Sequence, residues 1–191
     1  MLFQLVQIVY WLSLSTWFGG VLFVAMAAPV IFRTIRENSP VLPTVLSVNL
    51  ENQHGTLLGG SIVADLLAML IRVEMICAGG LLLSMIVQLA EHYSSNPLGA
   101  LMRAALFLAA AGLAAYDWRV VAPRIRRSRA DYIEHADEPE LANPAREQFN
   151  RYHRESVTVL MILFFVLLGL ILLSADMTHP VSMNFPLPPT K

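Results

Sequence analysis

Seven ionisable residues lie next to long apolar stretches of the chain, and their types could support chemistry. They are Asp65, Arg72, Glu74, Asp117, Arg119, His153 and Glu155. Ionisable groups beside a membrane-spanning segment are costly unless they are paired or solvated, and they often mark the path of an ion, a proton or a substrate. Pairs of arginine and carboxylate that lock the ends of helices would use the same residues. We favour this structural interpretation and keep the transport path as its alternative.

Two further groups have the spacing of metal or haem ligands. On a helix, one face would carry the candidate metal ligands Asp131, Glu134, His135 and Glu138, although a solvated acidic helix has the same pattern. Bis-histidine haem ligation needs histidines on two helices, and the candidates are His54, His92, His153 and His179. All four histidines lie at or beyond the ends of apolar stretches, whereas a buried haem needs ligands inside the bundle. We therefore predict no catalytic residue, no metal and no cofactor.

The apolar stretches themselves determine the class of protein. Val157 to Ala175 contains no ionisable group, and a helix needs roughly 20 such residues to cross the hydrocarbon core of a bilayer. The whole chain of 191 residues is 56% hydrophobic and 14% charged, against about 25% charged residues in soluble domains. The sequence thus predicts an all-α integral membrane protein.

We predict one four-helix bundle, a single domain over residues 1–191. The crossings are expected at about 3–35, 61–92, 98–122 and 157–176, with a cytoplasmic loop at about 123–156. The second stretch is too long for the hydrocarbon core, so it should protrude on the cytoplasmic side. Pro139 and Pro144 are expected to break any helix in the loop. Small residues in the third crossing, such as Ala110 and Gly112, should let helices approach closely.

The arginines are concentrated on one side of the predicted membrane. Twelve of the thirteen basic residues are arginine, and most follow the first or the third crossing. The connection at 91–97 has no basic residue, and the tail has only Lys191. Because cytoplasmic segments carry an excess of Lys and Arg, both termini should lie on the non-cytoplasmic side of a bacterial cytoplasmic membrane. Ala25-Met26-Ala27 resembles a signal cleavage site, but no basic residue precedes it, so we predict a retained helix.

A basic run next to the third crossing is the candidate for lipid contact. It holds Arg124, Arg126, Arg127 and Arg129, and basic residues at a membrane surface attract anionic headgroups. The same run is also explained if the arginines only set the topology and pair with nearby acids, such as Arg127 with Asp131, and we favour that explanation. The predicted partners are the bilayer, its anionic headgroups, and other membrane subunits or further copies of the chain. We predict no nucleic-acid partner.

Three segments of the chain resemble a known family. They are STWFGGVLFVAMAAPVIFR at 15–33, WRVVAPRIRR at 118–127 and FNRYHRESVTVLMI at 149–162. Together they resemble bacterial members of the transmembrane-protein-205-like family, which is a domain of unknown function. The resemblance implies a four-helix membrane protein with no established reaction. A eukaryotic relative is linked to platinum-drug resistance through a Cys-x-x-x-Met spacing, but here Leu81 and not Met follows Cys77 by four residues.

Three functions are compatible with these observations. The leading hypothesis is a non-catalytic structural or accessory subunit of a membrane complex, because no catalytic motif is present. The alternative is a small transporter or resistance protein for a metal or an apolar solute, which the polar cluster and the sulfur-containing side chains favour. A haem-binding redox subunit is the lower alternative, and only the paired histidines favour it.

Overall fold

Long helices account for nearly all of the described chain. The computed structural model describes residues 2–38, 54–90 and 97–175. The helices are α1 (Leu2–Asn38), α2 (His54–Ala90), α3 (Pro97–Tyr116), α4 (Ala122–Glu134) and α5 (Pro139–Ser174), and a π-helical turn (Asp117–Val121) joins α3 to α4. Four helical rods result, of 37, 37, 38 and 36 residues, each long and apolar enough to cross a membrane. This confirms the prediction of an all-α four-helix membrane protein.

One expectation about the connecting segment is wrong. The segment predicted as a loop at 123–156 is mostly helical, and it is formed by α4 and the first half of α5. Pro139 is the first residue of α5, where its missing N–H would have no partner in any case. Pro144 lies inside α5 and removes only the bond to Glu140. The second helix is longer than the hydrocarbon core requires, as predicted, and the other three rods are as well.

Proline also explains the π-helical turn that joins α3 and α4 into one rod. Pro123 lies in the first turn of α4, where its ring would clash with the carbonyl of residue 119 in a regular helix. The preceding π-helical turn is wider, and the N–H of Ala122 donates to the carbonyl of Asp117, five residues back. Such single wide turns relieve strain within helices and are frequent at functional sites. Asp117 is the first residue of this turn.

The buried residues follow one spacing on every rod. On α1 they are Val6, Tyr10, Leu14, Trp17, Val21 and Val24, and on α5 they include Val159, Leu163, Leu167 and Leu170. Steps of three and four residues keep one face toward its neighbours and are typical of left-handed bundles. The opposite faces carry exposed Leu, Ile, Phe and Met side chains, as expected for a surface that faces lipid.

Antiparallel pairs of helices build the bundle. Gly20 of α1 faces Leu70 of α2, and Gly80 of α2 faces Ser13 of α1. The pair of α3 and α5 is antiparallel as well, since Leu106 lies against Gly169. One end of the bundle is formed by the end of α1, the start of α2, α4 and the first half of α5, and we call it the arginine-rich end. The start of α1 and the end of α5 form the terminal end.

Only some of the small residues of α3 serve close packing. Ala110 is fully buried and Ala114 nearly so. Gly112, by contrast, is exposed, and a Cβ added to it would meet open space. The expectation that Gly112 brings helices together is therefore wrong, because its position is off the buried stripe. Close approach of backbones depends instead on Gly20 and Gly80 at the contact of α1 with α2.

A pair of adjacent glycines tests this contact. Gly80→Leu should lower the free energy of unfolding by about 1–3 kcal/mol, because the new side chain collides with Ser13 and forces α1 away. Gly79→Leu is the matched control, since a Cβ at Gly79 meets nothing within 4 Å. The measurement is thermal unfolding of the purified protein in detergent. Equal melting temperatures for the two variants would contradict the packing described above.

Candidate functional site

The structure divides the seven ionisable residues of the predicted polar cluster into three groups. Glu74 and Asp117 are buried inside the bundle, at 4% and 7% exposure. Glu155 is half-buried at the edge of the interior. The remaining members are exposed on outward faces: Asp65, Arg72, Arg119 and His153. The two carboxyl groups that enter the interior are thus separated from the basic residues that were expected to neutralise them.

Helical register explains this division. Glu74 lies four residues after Leu70 and three before Cys77, both of which are buried, so it falls on the buried stripe of α2. Arg72 is two residues away from Glu74 and therefore on the opposite side of the helix. On the third rod, Asp117 continues the stripe of Ala110 and Ala114. Sequence reasoning did not use this spacing, which would have singled out Glu74 and Asp117.

Glu74 forms the centre of the site together with a tryptophan from α1. The Trp17 indole is fully buried and lies beside the Glu74 carboxyl. The indole N–H is close enough to act on the Glu74 carboxyl, but within the described residues neither Trp17 Nε1 nor Glu74 Oε1 has a partner in hydrogen-bonding geometry. Each buried polar atom without a partner costs about 1–3 kcal/mol.

Asp117 is held by a serine from α5. The Ser156 hydroxyl donates to Asp117 Oδ1 over 2.9 Å, and both side chains are buried. The carbonyl of Asp117 closes the π-helical turn described above, so the carboxyl group and the irregular backbone occur at one position. The preceding residue on each of these two segments makes a second contact, in which the Tyr116 hydroxyl donates to Glu155 Oε1. Trp17 and Ser156 were not among the predicted site residues.

Three carboxyl groups differ stepwise in burial, from the half-buried Glu155 to the buried Asp117 and Glu74, and we call them the line of carboxyl groups. Glu155 has an electrostatic influence on Asp117, and Asp117 on Glu74, but in both cases this influence is smaller than that of burial. In the described part of the chain, no arginine, lysine or histidine makes a hydrogen bond or an ion pair with Glu74 or Asp117. Like charges in a low-dielectric interior repel one another. A cation that joins this line would relieve the repulsion.

A second polar layer lies nearer the terminal end. The hydroxyl groups of Tyr10 and Ser174 share a hydrogen bond of 2.6 Å, and both side chains are fully buried. The charge of Arg103 acts on Tyr10, and Arg103 is itself buried at 7% exposure. The burial of Arg103 follows from helical register, because Arg103 lies four residues before the buried Phe107.

An apolar layer separates the two polar layers. Phe18, next to Trp17, stacks on Phe164 of α5 with ring centroids 5.0 Å apart. Ser174 is ten residues further along α5, which corresponds to about 15 Å. The side chains buried between these levels include four leucines at or near zero exposure: Leu14, Leu81, Leu167 and Leu170. These four leucines, which we call the leucine layer, occupy the interior between Glu74 and the pair of Tyr10 and Ser174, and the half-buried Ser13 lies at their edge, against Gly80.

The basic members of the predicted cluster make local contacts on the surface. Arg119 lies over the ring of Trp118, with its guanidinium carbon 4.9 Å from the ring centroid. His153 stacks on Phe149 of the same helix. These residues thus do not form the pairs of arginine and carboxylate that the sequence suggested at the helix ends. In particular, Asp117 is joined to Ser156 and not to His153.

The metal and haem arrangements can be compared with the same structure. Among residues 2–38, 54–90 and 97–175, no group of three or more His, Cys, Asp or Glu side chains converges as a metal site. The metal candidates near His135 do not assemble, and His135 Nδ1 instead contacts the carbonyl of Asp131. Of the haem candidates, His54 is buried and His153 is exposed, while His92 and His179 lie outside the described residues.

The candidate lipid-contacting arginines differ in their surroundings. Arg129 reaches from α4 to α2, where its Nη2 donates to the Leu57 carbonyl over 2.9 Å and to Ser61 Oγ over 2.6 Å. Arg124 lies over the ring of Tyr152 at 5.6 Å. The other two members of the run, Arg126 and Arg127, are exposed. Arg129 therefore fixes α4 against α2, and only the other three arginines project from the surface.

Comparison with models of protein families, with curated proteins and with solved structures gave no match for this chain.

The hydrogen bond at Asp117 provides a stability test of the site. Ser156→Ala should lower the free energy of unfolding by about 1–3 kcal/mol, because it leaves a buried carboxyl oxygen without its donor. His153→Ala, three residues away on the same helix, removes an exposed ring and should cost less than about 1 kcal/mol. The double variant Ser156→Ala with Asp117→Ala should lose less than the sum of the single losses. Thermal unfolding in detergent is measured for the wild type, for Ser156→Ala, Asp117→Ala and His153→Ala, and for the double variant. Additive losses would show that Ser156 and Asp117 do not interact.

Proposed function

We propose that this protein is a small, non-catalytic membrane transporter in which Glu155, Asp117 and Glu74 carry protons into the bundle. The observation that supports this proposal is the position of Glu74. Its carboxyl group is 4% exposed, one of its oxygens has no hydrogen-bond partner in the described chain, and no basic residue pairs with it. Ionisable residues inside a membrane bundle are rare and usually functional, because a purely structural role would be filled at lower cost by an apolar side chain.

A proton fits this site better than a metal ion does. Metal ions of the size of Zn²⁺ or Ca²⁺ need several converging ligands, and no such group of His, Cys, Asp or Glu occurs in the described residues. A proton needs a single carboxyl group at each step. The sulfur-containing candidates give a metal no better site, because Met69, Met75 and Met161 are exposed whereas Cys77 is buried.

The order of the carboxyl groups suggests a route. A proton would enter at Glu155, pass to Asp117 and reach Glu74, and each of these groups acts electrostatically on the next. Beyond Glu74 the leucine layer blocks a continuous polar path to Tyr10 and Ser174. Complete transport would therefore need the helices to separate at the leucine layer. This favours a transporter with alternating access over an open channel.

An accessory subunit is the second candidate function, and one observation favours it. Asp65 and Arg72 are exposed on the outward face of α2, seven residues apart and hence on the same side of the helix. Charged side chains that face hydrocarbon are costly unless a partner or the headgroups neutralise them. A neighbouring membrane helix with complementary charges would cover this face. Such a neighbouring helix would cover Asp65 and Arg72 and would leave the interior site at Glu74 and Asp117 unchanged.

Proton movement can be measured in liposomes that contain the purified protein and a pH-sensitive dye. With an imposed membrane potential, the wild type should acidify or alkalinise the lumen faster than empty liposomes do. Glu74→Gln should reduce this rate at least tenfold, because the glutamine amide does not take up and release a proton near neutral pH. Asp65→Asn is the matched control on the same helix and should retain the rate within about twofold, since Asp65 is exposed and outside the line.

The outcomes separate the candidate functions. Equal rates for wild type and empty liposomes, with a folded protein, would contradict proton transport. Recovery of a stoichiometric membrane partner in mild detergent would then favour the accessory subunit. A similar loss of rate in Glu74→Gln and Asp65→Asn would show that the line of carboxyl groups has no special role.

We also propose that the arginine-rich end lies in the cytoplasm of a bacterial cell, with both termini outside the cytoplasmic membrane. The arginine bias supports this orientation. A reporter enzyme that is active only outside the cytoplasm should work when fused after Lys191 and fail when inserted within residues 130–145. Activity at 130–145 and none after Lys191 would reverse the orientation.

A further inference from the structure

A shallow groove on α5 lies outside the interior site and the basic run of α4. Six residues line it, namely Pro144, Glu147, Gln148, Asn150, Arg151 and Arg154. Its polar groups comprise two guanidinium groups, two carboxamides and one carboxylate. The charged members give the lining a net charge of +1, from two arginines and one glutamate. A ligand with one negative charge would complement it.

The two arginines of the groove lie at the depth of lipid headgroups. The uncharged stretch of α5 begins at Ser156, and Arg154 and Arg151 precede it by two and five residues. These separations correspond to about 3 and 7.5 Å along the helix. The headgroup layer on each side of the hydrocarbon core is roughly 5–8 Å thick. Both arginines therefore fall within the layer of lipid phosphates.

Aromatic residues on the neighbouring rod mark the same depth. Tyr116 and Trp118 are 40% and 39% exposed, and Tyr116 contacts Glu155, one residue after Arg154. Tyrosine and tryptophan are enriched where a membrane protein crosses the boundary between hydrocarbon and headgroups. The third rod thus indicates the position of this boundary independently of the charges on α5.

We infer that this groove binds the headgroup of an anionic phospholipid that carries hydroxyl groups, as phosphatidylglycerol does. Arg151 and Arg154 present planar forks of N–H donors that suit phosphate oxygens. Gln148 and Asn150 add amide donors and acceptors. The Glu147 carboxylate would repel a second phosphate, but it accepts hydrogen bonds from headgroup hydroxyls. The inference is independent of proton transport, because the groove shares no residue with the line of carboxyl groups.

The groove provides a better-defined site than the arginines of α4. Arg129 is engaged with Leu57 and Ser61 of α2, and Arg124 lies over Tyr152. The remaining Arg126 and Arg127 are exposed and do not line the groove. They offer charge without the neighbouring amide groups. They therefore provide a control for attraction that depends on charge alone.

Lipid titration of the purified full-length protein in neutral detergent tests the inference. Additions of phosphatidylglycerol should raise the melting temperature of the wild type, whereas phosphatidylcholine should not. Arg151→Gln with Arg154→Gln should weaken the apparent affinity for phosphatidylglycerol about 100-fold, since each charge-assisted hydrogen bond to the phosphate contributes roughly tenfold. Arg126→Gln with Arg127→Gln removes the same charge and should change the affinity less than about threefold.

Further comparisons make each outcome decisive. Equal losses in the two double variants would overturn the inference, because general surface charge would then explain the binding. Stabilisation by millimolar inorganic phosphate alone, abolished by the groove variants, would indicate a free anion and would also overturn it. Arg151→Lys with Arg154→Lys keeps the charge and tests the guanidinium forks if the glutamine variant fails to fold. Recovery of full affinity in that variant would contradict fork-specific recognition.

Discussion

Polar groups inside a bilayer-spanning bundle have no water with which to form hydrogen bonds, and the arrangement of this protein's interior depends on that constraint. Ser156 supplies a donor to Asp117, and Ser174 pairs with Tyr10. Within the described chain, Glu74 Oε1, Trp17 Nε1 and Gln88 Nε2 lack such partners. Glu74 is the ionisable member of these three, and an ionisable group in the interior of a bundle is costly. The functional proposal is based on the position of Glu74.

Packing at the arginine-rich end fixes the positions of the helices around the site. The rods extend beyond the hydrocarbon core, and there α4 packs against the first half of α5. Arg129 ties α4 to the start of α2. The π-helical turn then absorbs Pro123 while Asp117 stays on the buried stripe. Movement at this turn would shift Asp117 relative to Glu74, which links the backbone geometry to the proposed proton route.

The failures of sequence reasoning have a common physical origin. Pro144 was expected to break a helix but lies inside one, and Gly112 was expected at a contact but faces outward. The lock of arginine and carboxylate pairs was expected from proximity along the chain. In each case a residue type was assigned a role without its position on the helix. The steps of three and four residues between Leu70, Glu74 and Cys77 carry the missing information.

By itself, the sequence determined the class of protein, the number of long apolar helices and the asymmetry of charge, because hydrophobicity over about 20 residues and arginine counts are local properties. Only the tertiary structure decided which polar residues enter the bundle. Burial of Trp17 beside Glu74 depends on the register between α1 and α2, and that register is fixed by close contacts such as Gly80 with Ser13. The pairing of Asp117 with Ser156 joins residues 39 positions apart. Contacts of this kind depend on how helices pack against one another, and no single stretch of sequence encodes them.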